Sequence, residues 1–242
     1  MSVKVVQYPG LTRKTTLSGP CAKVRMGLSL KGVEYELVNV SSPMEAKRYN
    51  PRGRVPALIL GDEVLVDSTD ILTELDVRFE GPRLTPESAA ERAQAKILED
   101  WADEVLYFYA VYFRWICPEG FGRMKDLVLA KLPIPMRWLA PGIARRETRK
   151  RVDGQGVGVK PREVVLRETA ECLDALATML ERREWLVGNA YSRADLAVGA
   201  LVDQMNMPEL TPEMARLVTE RPVLVGWLAR LLEVTPSVAR PG

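Results

Sequence analysis

No histidine occurs anywhere in the 242 residues. That removes imidazole as a general base, as the middle member of a Ser-His-Asp triad and as the commonest zinc or iron ligand. Cysteine is scarce. Cys21, Cys117 and Cys172 are too few and too widely spaced for a disulfide framework or a thiolate metal set, and they point to a reducing compartment. No apolar run approaches the ~20 residues that span a bilayer. The opening Val3-Lys4-Val5-Val6 lacks the charged, apolar and small-residue regions of a signal peptide. An excess of one charge sign is also missing: 34 Lys and Arg face 32 Asp and Glu, so no global field argues for nucleic acid or a membrane. The expectation is a soluble, cytoplasmic protein without a metal. Its length allows one large domain or two ordinary ones.

The stretch from Asn50 to Ile71 organises the rest. Asn50-Pro51 and Gly53 punctuate a loop, and Ala57 to Leu60 is an apolar run of strand length. Gly61-Asp62 then turns the chain into Val64-Leu65-Val66, and Asp67 or Ser68 caps a helix carrying Ile71, Leu72 and Leu75 on one face. Pro56 stands where a strand should already donate hydrogen bonds. It belongs at a strand's first residue or in a tight, cis-compatible turn. Upstream, Val3 to Tyr8 reads as a strand closed by Pro9-Gly10, and residues 11–17 as a polar loop. Ser18-Gly19-Pro20 marks a helix start, with Val24, Leu28 and Leu30 on its buried side and Lys31-Gly32 at its end. Tyr35 to Val40 is a second strand and Pro43 to Tyr49 a short helix or turn, so the order is βαβ, then α, then ββα.

Gly-x-Val-Pro-x-Leu followed by Asp67-Ser68 at the next helix start resembles the glutathione-binding half of the glutathione S-transferase family. Ser18-Gly19-Pro20-Cys21 is similar to that family's Ser/Cys-x-x-Cys helix start, and the loop before it resembles the bacterial, metaxin-like branch. The resemblance implies an α/β thioredoxin-like N-terminal domain over 1–80, a linker over 81–87 and an all-α C-terminal domain over 88–242. It implies a cis bond before Pro56. It also implies glutathione as co-substrate, held at Arg54, Val55, Pro56, Asp67 and Ser68, and a homodimer.

Ser18 leads for the chemistry. Glutathione is a weak nucleophile while its thiol keeps the proton, with a free thiol pKa of ~8.5. A helix N-terminus supplies partial positive charge and unpaired N–H groups, and a hydroxyl at the cap adds one more donor to the sulfur. No base is needed, which suits a chain without histidine. The plain alternative is that Ser18 only caps its helix. Cys21 stands where a redox pair keeps its resolving cysteine, without the first cysteine, so it either forms a mixed disulfide with glutathione or packs. Tyr8, at the end of the first strand, is the third candidate, ranked behind Ser18.

Beyond Gly81-Pro82 the signals are helical. Pro86 to about Cys117 reads as one long helix or a kinked pair, with Trp101, Val105, Phe108, Tyr112 and Trp115 along one face, and with Tyr107, Tyr109 and Phe113 on adjacent faces. Most of that stripe is expected in the core, and some of it beside an apolar ligand. Residues 123–162 hold eleven Lys and Arg against three acids, a local +8. This is a solvated face, or one that attracts an anionic ligand or an acidic partner. Gly154-Gln155-Gly156-Val157-Gly158 is no dinucleotide or phosphate loop, and is similar to the Gly-rich bend before a helix in metaxin-like transferases; the next helix has Val164, Leu173, Leu176 and Leu180 inward. Tyr191-Ser192-Arg193-Ala194-Asp195-Leu196 forms a capping box and hydrophobic staple, and resembles the family's Ser-x-Ala-Asp folding motif.

Three functions compete at this stage. The first is glutathione conjugation, with the thiolate attacking an apolar electrophile. The second is a glutathione-dependent reduction, dehalogenation or isomerisation using the same thiolate. The third is a non-catalytic scaffold whose basic segment docks an acidic partner.

Overall fold

The computed structural model describes residues 2–12, 15–132, 134 and 136–239; Arg13 and Lys14 of the first loop lie outside it. Four strands form one mixed sheet in the order β2-β1-β3-β4. β1 (Val3–Gln7) runs parallel to β2 (Glu36–Asn39) and antiparallel to β3 (Ala57–Leu60), and β3 pairs antiparallel with β4 (Glu63–Val66). The helices between them are α1 (Gly19–Leu30), α2 (Pro43–Ala46) and α3 (Ser68–Arg78). This is the βαβ-α-ββα order expected for a thioredoxin-like domain, and among the described residues the elements after it are helices: α4 (Ala89–Trp101), α5 (Tyr107–Val111), α6 (Pro118–Leu127), α7 (Met136–Gln155), α8 (Arg162–Leu180), α9 (Arg193–Met205), α10 (Pro212–Thr219) and α11 (Pro222–Val234).

The chain divides into two compact units. One takes Met1–Asp100, Arg183–Ala200 and Trp227–Gly242, and the other Trp101–Arg182 and Leu201–Gly226. In the first, α1 and α3 meet so closely that a Cβ on Gly27 would lie 2.5 Å from Leu72 Cδ2. Val24, Leu28, Ile71, Leu72 and Leu75 are fully buried, as their spacing predicts. Lys31 and Asp76 pair at 2.9 Å with both side chains almost sealed, and the same carboxylate accepts the N–H groups of Leu84 and Thr85, each at 2.8 Å. The connector after α3 is therefore stitched down by backbone hydrogen bonds to one acid. The capping box forms: Asp195 accepts the Ser192 N–H at 2.9 Å, and also the Leu186 N–H and the indole N–H of the fully buried Trp227. A Cβ at Gly199 would lie 2.1 Å from Leu231 Cδ2, so α9 and α11 touch through that glycine.

In the second unit, two π-helical segments, Ala102–Leu106 and Tyr112–Ile116, flank α5 in the helical path from Trp101 to Ile116. Each wide turn advances the buried face relative to a 3.6-residue repeat. The expected stripe is displaced accordingly. Ala102, Leu106, Tyr109, Ala110, Val111, Tyr112, Phe113 and Ile116 are buried, while Trp101, Val105, Phe108 and Trp115 are only half-buried. A second shift occurs in α8, where Val165 rather than Val164 is the fully buried member. α7 runs on through Gly154 to Gln155, so the bend comes only at Gly156, whose φ of 101° suits glycine.

Candidate active site at one edge of the sheet

Strand register brings the predicted residues together. Val6 lies opposite Val38 on β2 and Ala57 on β3, and Ala57 lies opposite Val66 on β4. One row thus crosses the sheet near its edge, and the residues just beyond it in each strand share that edge. They are Tyr8 after β1, Val55 and Pro56 before β3, and Asp67 and Ser68 after β4. The Val55–Pro56 peptide is cis, as the sequence led us to expect. Ser18 is returned to the same edge by a short loop, in which Pro9 bridges Thr16 and the Gly10 N–H reaches Thr15 O at 2.9 Å.

Ser18 is the N-cap of α1. Its backbone is extended (φ −98°, ψ 110°), its carbonyl accepts the Ala22 N–H at 2.9 Å, and its hydroxyl oxygen accepts the Cys21 N–H at a long 3.4 Å. A hydroxyl that accepts in this way still has its own proton to donate. The side chain is half-buried, at the positive end of a twelve-residue helix. Cys21 is fully buried, and that burial pushes its thiol up to about 12 against the hydrogen bonds of Ser18 and Thr16. At neutral pH it stays a thiol, the packing role rather than the reactive one. Tyr8 packs against the cluster of Val6, Val40, Ala46 and Ala57, and its hydroxyl donates to Gly53 O at 3.4 Å.

Asp67 caps α3 from an unusual backbone: φ is 74°, the one positive value outside glycine among the described residues. Its carboxylate accepts the Thr69 N–H at 2.9 Å and is exposed, while Ser68 beside it is buried. A non-glycine residue in the left-handed region is a strained choice that functional edges often retain. Arg54 is exposed, Val55 half-buried and Pro56 buried; the Arg54 carbonyl accepts from the Asn50 side chain at 3.1 Å.

One group escaped the sequence reading. Glu99 of α4, fully buried, holds Lys23 of α1 at 2.6 Å on one oxygen and Arg193 of α9 at 2.5 Å on the other. Lys23 also donates to Thr69 Oγ1 at 3.1 Å, and Arg193 to the Thr69 carbonyl at 2.9 Å and Thr73 Oγ1 at 3.2 Å. Two cations thus share one buried carboxylate. The cluster clamps the first turn of α3, next to Ser68, to the helix that Ser18 caps. A signal for it did exist. Glu99 interrupts the small apolar line Ala95–Glu99–Ala102, and Lys23 the line Lys23–Gly27–Leu30, all at helical steps.

Comparison with known proteins agrees with this fold. The glutathione S-transferase N-terminal domain profile matches residues 14–83, and the C-terminal domain profile matches 158–234. Glutathione S-transferase Z2 of Arabidopsis thaliana is 41% identical over 80 residues, 30% of this chain and 36% of that protein, so the chain matches about a third of that relative's length. Maleylpyruvate isomerase of Ralstonia sp is 36% identical over 87 residues, 34% of this chain and 41% of its own. Protein LigF of Sphingobium sp. is 26% identical over 197 residues, 74% of this chain and 72% of its own. The crystal structure of beta-etherase LigF from Sphingobium sp. superposes with a TM-score of 0.70 at 24% identity, covering 98% of this chain and 97% of that one, which shows the fold. With both domain profiles matched in order on a thioredoxin-like sheet followed by helices, the chain belongs to the glutathione S-transferase family.

Proposed function

We propose that the protein is a glutathione-dependent transferase that activates the glutathione thiol at the N-terminus of α1. The observation that carries this is the convergence at one sheet edge of a half-buried cap hydroxyl, a cis-Pro peptide and the Asp67–Ser68 helix start. In this reading the Val55 backbone, with Arg54 and Pro56 around it, holds the cysteinyl part of glutathione. Asp67 accepts from the γ-glutamyl ammonium, and the Ser68 turn faces its carboxylate. The thiol proton leaves to solvent, the helix end and the Ser18 O–H stabilise the sulfur anion, and the sulfur lone pair forms a C–S bond to an apolar electrophile while the leaving group departs with its electron pair. The relatives include a maleylpyruvate isomerase and a beta-etherase, which is consistent with this chain using one thiolate on several kinds of carbon electrophile. The protein is expected to act as a homodimer.

Thermal-shift measurement with glutathione and with S-methylglutathione, alongside retention on immobilised glutathione, tests the reading. Stabilisation at millimolar glutathione and retention are expected. A protein that shows neither is the non-catalytic scaffold.

A further inference from the structure

The outer side of α7 carries exposed apolar and basic side chains together. Residues 139, 143, 146 and 150 follow one another at four- and three-residue steps, which is one face of a helix, and all four are exposed: Leu139, Ile143, Arg146 and Lys150. Leu139 is 66% exposed, Ile143 64%, the adjacent Trp138 73%, and Ile134 just ahead of the helix 66%. The opposite side, at 141, 145, 148 and 152, is turned inward, with Pro141 and Val152 buried. Arg145 on that side is structural, donating to the carbonyls of Trp115 at 3.1 Å and Ile116 at 2.9 Å and lying 4.3 Å over the Phe121 ring.

The outward stripe is therefore apolar in its first turns and basic in its last. Arg137, Arg146, Arg149, Lys150 and Arg151 are exposed, and Glu147 is the single exposed acid among residues 137–151, paired to Lys150 at 2.9 Å. Exposed Trp, Leu and Ile on a basic helix is the chemistry of a helix that lies in a membrane–water interface, with apolar side chains at the acyl boundary and cations among anionic headgroups. A single exposed helix is a ridge rather than a groove, so a flat lipid surface fits it better than a bound peptide does. An antiparallel two-fold self-contact centred on the stripe would set apolar turns against arginines, and a parallel one would set arginines against arginines, with only Glu147 to answer them. Among the described residues no helix is long and apolar enough to cross a membrane, so contact would be peripheral.

We infer that Ile134 and the exposed side of residues 137–150 form a peripheral docking surface for anionic lipid, independent of the glutathione chemistry. The test is co-sedimentation of the full-length protein with vesicles of equal parts phosphatidylglycerol and phosphatidylcholine, against phosphatidylcholine alone. The comparison includes Arg146→Gln/Arg149→Gln and Leu139→Asp/Ile143→Asp, each variant checked by circular dichroism. Because these side chains are exposed, the variants should fold. Wild type should bind the anionic vesicles at low salt, lose binding as salt rises, and ignore phosphatidylcholine. Each cation at an anionic surface contributes roughly fivefold in partitioning, so the double glutamine variant should bind about twenty-five-fold more weakly. The double aspartate variant should not bind. Absence of wild-type binding, or binding unchanged in both variants, overturns the proposal. So does a wild type that ignores vesicles but self-associates through this face, or that binds an acidic protein there instead.

Discussion

Lys23 Nζ lies 2.6 Å from Glu99 Oε1, and neither side chain reaches solvent. The pair joins the helix capped by Ser18 to α4, and through Thr69 it reaches the helix capped by Asp67. Both ends of the proposed glutathione site thus hang on one buried carboxylate.

Glu99→Gln removes the carboxylate charge that the buried Lys23 and Arg193 share. Breaking a buried pair in this way costs about 3–5 kcal/mol. Urea unfolding should show the loss, and the KM for glutathione should rise more than kcat falls, because the α3 cap moves while the thiolate end keeps its helix. A variant as stable as wild type would mean the cluster carries no charge interaction of consequence.

Asp76 sets an acid limit. Burial alone would raise its carboxyl, but hydrogen bonds from the Leu84 and Thr85 N–H groups and from Lys31 outweigh this and hold it below the usual carboxylate range. A folded pKa below the unfolded ~3.9 means the contribution is fully present above about pH 4 and is lost as pH falls through the folded value. Asp76→Asn should cost about 3 kcal/mol at neutral pH and flatten the acid limb of stability against pH. A limb as steep as wild type would assign the acid sensitivity to other groups.

Thiol labelling should separate the three cysteines. Cys172 is half-buried, whereas Cys21 and Cys117 are buried, with thiols pushed up to about 12 and about 11 by burial. Native protein at neutral pH should react at Cys172 first and at the other two only on unfolding. Cys21→Ala should leave conjugation nearly intact. Rapid modification of Cys21 by glutathione disulfide would restore it as a reactive group.

The sequence announced local features and concealed distant ones. Pro56, the Ser18 and Asp67 caps and the Ser192–Asp195 box are readable because each is a contact within a few residues, governed by backbone chemistry. The Glu99 clamp joins positions 94 residues apart, Glu99 and Arg193, and composition holds no trace of that pairing. The aromatic stripe misled for a different reason. Its 3.6-residue spacing is real, but the π-helical turns at 102–106 and 112–116 rotate the face that the core receives. Gly27 lies between these cases. A glycine inside a good helical pattern marks a close approach, but only the structure names Leu72 as the neighbour. Gly27→Ala should cost about 1–3 kcal/mol by overpacking, measurable as a lowered urea midpoint.

The central claim is that a hydroxyl at position 18 and the α1 terminus hold glutathione as a thiolate. Thiolate absorbance of the glutathione complex, titrated against pH in wild type and Ser18→Ala, tests it most directly. One hydrogen bond to a charged group is worth about 1.5–3 kcal/mol, so the bound thiol's pKa should rise by roughly one to two units in the variant. Conjugation at neutral pH should slow by about ten- to a hundredfold, while glutathione affinity changes less. A titration curve that does not move on losing the Ser18 hydroxyl would contradict the account and bring Tyr8 forward as the group that meets the sulfur.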